Sequence, residues 1–171
     1  MEPHPIDLLD ELTGHIPFAV LVTGAGGDPD GRLTGRPLMV AHPTGDEPSD
    51  DDPSVFWFVV DPGVSWAPRR GTIAEVCLVL ADEARQRVVS VSGTATSVAD
   101  PELVDQMWEP PLAEWLPHPD GAIALRVEAD AYSWWEGPGP QVIRSVEVRR
   151  QDLDGRVRHG HAELASALTS R

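Results

Sequence analysis

The stretch from Val55 to Val98 limits the fold more than any other part of the chain. It opens on Val55-Phe56-Trp57-Phe58-Val59-Val60 and passes through Ser65 to Glu75 into a second apolar run, Val76-Cys77-Leu78-Val79-Leu80-Ala81. It closes on Arg87-Val88-Val89-Ser90-Val91-Ser92-Gly93-Thr94-Ala95-Thr96. β-Branched and aromatic runs of this kind, bounded by Pro, Gly and Asp, predict strands. The segment from Gln86 to Val98 alternates, with Val89, Val91 and Gly93 on one face and Ser90, Ser92 and Thr94 on the other. That is the pattern of a strand with one packed face and one polar face. Ser65 to Glu75 is expected to be a short helix, so the skeleton is strand, short helix, strand, long strand.

The flanking segments extend this pattern. Ile6 to Thr13 is an amphipathic helix, with Ile6, Leu8, Leu9 and Leu12 on its apolar side and Gly14 ending it. Ile16 to Thr23 and Arg32 to His42 are two strands joined by the turn G-A-G-G-D-P-D-G (24–31). Pro37 has no N–H for a ladder, which puts the second of these strands at an edge or bulge. The glycines do not make a dinucleotide loop, because the sixth position is Pro29 and a strand follows. Asp28, Asp30 and Gly31 lack the later bidentate glutamate of a calcium loop. His42 to Pro53 reads as a solvated acidic loop rather than a cation site made by Asp50, Asp51 and Asp52. Asp100 to Leu116 carries a helix, with Asp100 as N-cap, Pro101 at N1 and Leu103, Met107 and Trp108 on one face; Trp108, Pro110, Pro111, Leu112, Trp115 and Pro117 then make an aromatic-proline segment. Ala122 to Val127 is a strand that Ala131 to Trp135 continues or closes. Gln141 to Arg150 alternates as a last strand, and Gln151 to Arg171 reads as a turn and a C-terminal helix.

Seven or so strands with short helices and no strand–helix–strand rhythm predict a small barrel rather than a doubly wound sheet. The 171 residues are most simply one domain large enough to bury a core. A formal charge of −15 argues against nucleic acid and anionic membrane as partners. All 13 basic residues are Arg, so any side-chain cation that holds an anion is a guanidinium, and no Schiff-base lysine exists. The start of the chain has no signal-peptide pattern and no run is long enough to span a bilayer, so the expected location is cytoplasmic. Cys77, within a predicted strand, is expected to act as a small hydrophobe. His159 and His161 have no third ligand at a sensible spacing, and no metal site is expected. No Ser/His/Asp or Cys/His arrangement stands out.

Three blocks of residues carry a family resemblance: Gly31-Arg32-Leu33 through Arg36-Pro37-Leu38-Met39; Val55 to Gly93, with Trp57-Phe58, Ala81-Asp82 and V-S-V-S-G in step; and Met107-Trp108-Glu109-Pro110-Pro111-Leu112-Ala113-Glu114-Trp115-Leu116-Pro117, followed by Leu125-Arg126-Val127 and Trp134-Trp135-Glu136. Over residues 6–137 the chain resembles the pyridoxamine 5′-phosphate oxidase-like FMN-binding split barrels, and among them the general stress protein branch. The resemblance implies a mainly β fold, a split β-barrel of six to seven antiparallel strands with short flanking helices. Residues 1–137 would form the flavin-binding-like domain, and 138–171 a C-terminal strand and helical extension. It further implies a homodimer with FMN in the groove between subunits and oxidoreductase chemistry on a small substrate.

Site residues follow from the same resemblance. Arg36, Pro37, Leu38 and Met39 would line the flavin ring, largely by backbone, and Ser90 and Ser92 would reach it from the partner subunit. Trp135 would flank the ring, unless Trp134 and Trp135 simply close the core. The phosphate-contacting Thr, Ser and Lys positions fall on Val60, Val64 and Trp66, and Val88 stands where a polar or aromatic residue is expected. Apolar side chains cannot satisfy a dianion. Two repairs are open: Ser65 as the N-cap of a helix whose free N–H groups take the anion, and Arg69 or Arg70 reaching back one helical turn. Three readings therefore stand together: an FMN enzyme, a split barrel that has lost flavin and serves as a binding or structural module with Trp66 plugging the groove, and a deazaflavin binder.

Overall fold

Every strand pairing among the described residues is antiparallel. The computed structural model describes residues 5–24, 32–44, 52–116, 120–137, 143–149 and 159–163. In chain order they form α1 (Pro5–Thr13), β1 (Phe18–Thr23), β2 (Thr34–Met39), β3 (Val55–Val60), β4 (Ile73–Asp82), β5 (Arg87–Val98), α2 (Pro101–Met107), α3 (Pro110–Trp115), β6 (Ile123–Glu136), β7 (Ile143–Arg149) and β8 (His159–Glu163). The strands are hydrogen-bonded in the order β2-β1-β4-β5-β6-β7-β8, and β3 pairs with the first half of β6. The Ala41 N–H donates to the Trp57 carbonyl at 2.8 Å and brings the end of β2 round to β3. The ring β1-β2-β3-β6-β5-β4 is therefore a barrel that stays split between β2 and β3. β7 pairs with the second half of β6, and β8 extends the sheet beyond it.

The inward faces of these strands make the core. Leu21, Phe58, Leu78, Leu80, Val89, Val91, Leu125 and Val127 are buried in one cluster, which Leu9 and Leu12 of α1 join. A second cluster lies on the outer side of β3 and β6. There Trp57, Val59 and Ala124 pack against Val104 and Met107 of α2 and Leu112 of α3. Asp100 caps α2 as its sequence predicts, accepting from the N–H groups of Glu102 at 3.0 Å and Leu103 at 3.3 Å. The aromatic-proline segment after Trp108 holds a second helix, α3, with Pro110 and Pro111 in its first turn.

β6 is one strand, and a bulge changes its inward face. Gly93 pairs with Ala129 and Ser92 with Ala131, leaving Asp130 as the extra residue. Inward positions are Leu125, Val127 and Ala129 before the bulge and Tyr132 and Trp134 after it. The bulge also explains Gly93. A Cβ there would lie 2.0 Å from the Glu128 carbonyl oxygen, so only glycine lets β6 pass this closely.

Two expectations are corrected. Residues 65–72 form turns rather than a helix. The Ser97 hydroxyl donates to the Pro68 carbonyl at 2.6 Å, and the Thr72 N–H and hydroxyl both donate to the Arg69 carbonyl. Gly71, at φ +79°, then turns the chain into β4. At the C-terminus, β8 stands where a helix is expected for part of 151–171. The turn at 25–31 and Asp50 and Asp51 of the acidic loop lie outside the described residues. Asp52 is described, and its carboxylate accepts from the Ser54 N–H at 3.0 Å and the Ser54 hydroxyl at 2.7 Å.

Candidate functional site

Backbone alternation along β2 decides what the split presents. The Val40 N–H donates to the Pro17 carbonyl, toward the β1 side, whereas the Ala41 N–H donates across the split to Trp57. In an antiparallel strand these directions alternate. Gly35, Pro37 and Met39 therefore turn their backbone groups toward the split, and Thr34, Arg36 and Leu38 turn theirs to β1. Pro37, which has no N–H, sits on the open side, as its sequence predicts. The segment Arg36 to Met39 is thus an edge that offers two carbonyls and one N–H to whatever lies beside it.

At the end of the barrel next to this edge is an open cleft of about 510 Å³. Its lining includes Thr23, Ser65, Trp66, Arg69, Thr72 and Glu75. Arg36 projects from β2 into the same corner. Its guanidinium donates to the Thr23 hydroxyl at 2.7 Å and to the Thr34 carbonyl at 3.3 Å, and it lies 4.9 Å from the centre of the Trp66 ring. Trp66 is half-buried against the core, so the indole holds the guanidinium as a cation–π wall. Arg69 is exposed on the rim; Arg70 is exposed and does not line the cleft. Glu75 opposes Arg69 in charge. Its negative charge, after burial itself, holds the Asp130 carboxyl above the usual carboxylate range.

Burial and strand position sort the expected site residues into three sets. Arg36, Pro37, Leu38, Met39, Ser65, Trp66 and Arg69 gather around the split and the cleft. Ser90, Ser92 and Trp135 lie elsewhere, on the outer face of β5 and β6, where Trp135 pairs with Val88 and Ser92 with Ala131. Ser90 is 3.4 Å from Cys77 on that face, oxygen to sulfur. One chain does not bring these sets together. Val60 is the third set: its side chain is 2% exposed, within the core of this chain. The Ser65 repair is corrected, because no helix begins there. The reach of Arg69 and Arg70 by one helical turn fails with it.

Sequence reasoning missed two features. The Arg36–Trp66 stack joins residues 30 positions apart, with no local signal. At the far end of the barrel, Asp82 accepts from Arg85 at 2.8 Å and pairs with His15 at 2.7 Å. The Arg85 and then the His15 hydrogen bonds hold the Asp82 carboxyl well below the usual carboxylate range. Among the described residues no group of His, Cys, Asp or Glu is placed to hold a metal ion, and no helix is long and apolar enough to cross a membrane.

No family model and no curated protein matches the sequence. Solved structures do match the fold. The general stress FMN/FAD binding protein of Xanthomonas citri is 21% identical, covers 79% of this chain and 89% of its own, and has a TM-score of 0.55. A Clostridium acetobutylicum protein related to general stress protein 26, of the pyridoxinephosphate oxidase family, is 15% identical over 77% of this chain and 87% of its own, with a TM-score of 0.55. PhzG of Burkholderia lata, solved with tetrahydrophenazine-1-carboxylic acid, is 14% identical over 95% of this chain and 93% of its own, with a TM-score of 0.56. Together with the β2–β3 split, these likenesses show the fold: the chain is a split barrel like those proteins.

Proposed function

We propose that this chain is a flavin-binding split-barrel protein that works as a homodimer. The observation that carries the reading is the edge of β2, whose Gly35, Pro37 and Met39 backbone groups face the split. A flavin ring has both donors and acceptors along one edge, and a strand edge can match them without any particular side chain. The likeness to an FMN/FAD binding protein supports the same reading.

The second subunit is part of the proposal. On the outer side of β1, β4 and β5 the strands present Phe18, Val20, Val79 and Val88, and Phe18, Val20 and Val88 are exposed by 41%, 39% and 37%. An apolar sheet face of this kind suits a self-complementary dimer contact. Ser90, Ser92 and Trp135 lie on that face, so docking a second copy there is the route by which they would approach a site made by the partner's β2.

The resemblance names FMN, and the cleft residues do not fit its phosphate. Val60 is in the core, Trp66 fills the lysine position, and Arg36 is already stacked and hydrogen-bonded. Among the cleft-lining side chains the one guanidinium is that of Arg69, which is exposed, and Glu75 is the one carboxylate. The ring and the dianion are therefore separate questions. A flavin, when bound, supplies the redox chemistry, while this chain binds and orients it. An oxidoreductase role on a small substrate is the extension of this reading.

The test is a visible spectrum of the purified protein, followed by fluorescence titration with riboflavin, FMN and a deazaflavin, with light scattering for mass. Flavin bands or saturable quenching in a particle of dimer mass is the expected result. A colourless monomer that leaves all three ligands unquenched would overturn the reading in favour of a module without flavin.

A further inference from the structure

We infer that the barrel-end cleft selects a flavin whose tail ends in a neutral hydroxyl over one whose tail ends in a phosphate, with Trp66 as the specificity-determining residue. The inference rests on the flavin reading above and adds the chemistry of the tail.

Among the cleft-lining side chains Arg69 carries the one positive charge and Glu75 the one negative, so the lining itself offers a dianion no net positive charge. Arg36 keeps its positive charge in the Trp66 stack but is not among the cleft-lining residues, and turning its Nη1 to a phosphate would give up the hydrogen bonds to the Thr23 hydroxyl and the Thr34 carbonyl. Arg69 stands in water, where an ion pair with a phosphate is screened and weak. Nor do the 65–72 turns supply the converging N–H groups of a helix start. The formal charge of −15 repels a dianion at longer range as well.

A polyhydroxyl tail meets different surroundings. Ser65, Thr72 and Thr23 line the cleft as hydroxyls. The Thr23 oxygen accepts from Arg36 and keeps its own hydrogen to donate. The Thr72 hydroxyl donates to the Arg69 carbonyl and keeps its lone pairs to accept. The Trp66 indole gives the tail's carbons an apolar wall. Neutral hydroxyls are desolvated at far smaller cost than a phosphate dianion.

The experiment compares riboflavin, FMN and lumichrome, the ring without a tail, by fluorescence titration of the full chain at about 0.15 M salt. The expected result is riboflavin binding about tenfold more tightly than FMN. W66K restores a cation and releases Arg36, and it is expected to raise FMN affinity about tenfold while weakening riboflavin, which loses the apolar wall, so that the preference reverses. Because Trp66 touches the core, E75Q serves as a second variant on the exposed rim. It is expected to raise FMN affinity about threefold and leave riboflavin unchanged. Wild-type protein that binds FMN as tightly as riboflavin, or a preference untouched in both variants, overturns the inference and leaves the flavin reading standing. If none of the three ligands binds, the flavin reading fails and this inference fails with it.

Discussion

The two faces of β4 and β5 are made of the same kind of residue and have opposite fates. Inward, Leu78, Leu80, Val89 and Val91 are fully buried. Outward, Cys77, Val79 and Val88 are only partly covered, beside Val20 and Phe18 of β1. A strand with one wet face ordinarily alternates apolar with polar. Here the alternation is broken on the outer side at Cys77, Val79 and Val88, while Glu75, Ser90, Ser92, Thr94 and Thr96 keep it. The inner face is explained by the barrel itself. The outer face is not explained by the barrel, and it is where the proposed second copy would dock.

Neighbouring residues on opposite faces sharpen that contrast. Gly93→Ala, on the inner face, puts a Cβ into the Glu128 carbonyl and is expected to cost about 4 kcal/mol in chemical denaturation. Ser92→Ala, one residue away on the outer face, should stay within about 0.5 kcal/mol. Equal losses would mean that the bulge does not tolerate glycine alone. Leu78→Ala is expected to cost about 3 kcal/mol. Val79→Arg should leave the monomer folded, with its effect confined to association, so sedimentation shows a shift toward monomer. An unchanged dimer would place the interface elsewhere.

A smaller effect is expected at Tyr132, 1% exposed, whose hydroxyl donates to the Pro5 carbonyl at 2.5 Å and ties β6 to the start of α1. Tyr132→Phe should lower stability by about 1 kcal/mol. Burial pushes the Tyr132 pKa above its ordinary value. The contribution is therefore complete below about pH 10, where the unfolded phenol titrates, and is lost as pH rises beyond it. Tyr132→Phe should remove that alkaline loss from a stability–pH curve.

The smallest effect lies at the ion cluster. Asp82 is depressed by Arg85 and His15, so its contribution is present above the unfolded pKa near 4 and disappears as pH falls below that. Asp82→Asn should lower Tm by a few degrees at neutral pH and flatten the acid limb. An acid limb as steep as in wild type would show that other carboxylates govern it.

How much of this is legible in the sequence depends on range. The barrel is legible because β3, β4 and β5 are local runs with a clear period, and Asp100 announces α2 by itself. Pro37 announces an edge. The 65–72 segment is illegible because Ser65 is a fair helix signal, but six residues before Gly71 are too few to offset helix nucleation once Ser97 holds Pro68. Trp134 and Trp135 look equivalent until the Asp130 bulge turns one inward and the other outward. The site's core, Arg36 on Trp66, is set by the barrel's curvature and leaves no trace in either local stretch.

The seam at Ala41 and Trp57 has a further consequence. Every other junction of the barrel is a ladder of paired residues, whereas this one is an isolated bridge, so the barrel unzips there first. In native-state hydrogen exchange the Ala41 amide should open far below the global unfolding free energy, while the Leu78 and Val91 amides wait for complete unfolding. A ligand lying along β2 would act as the missing rungs. It would raise the protection of Ala41 by its binding free energy and turn the weakest line in the molecule into a sensor of occupancy.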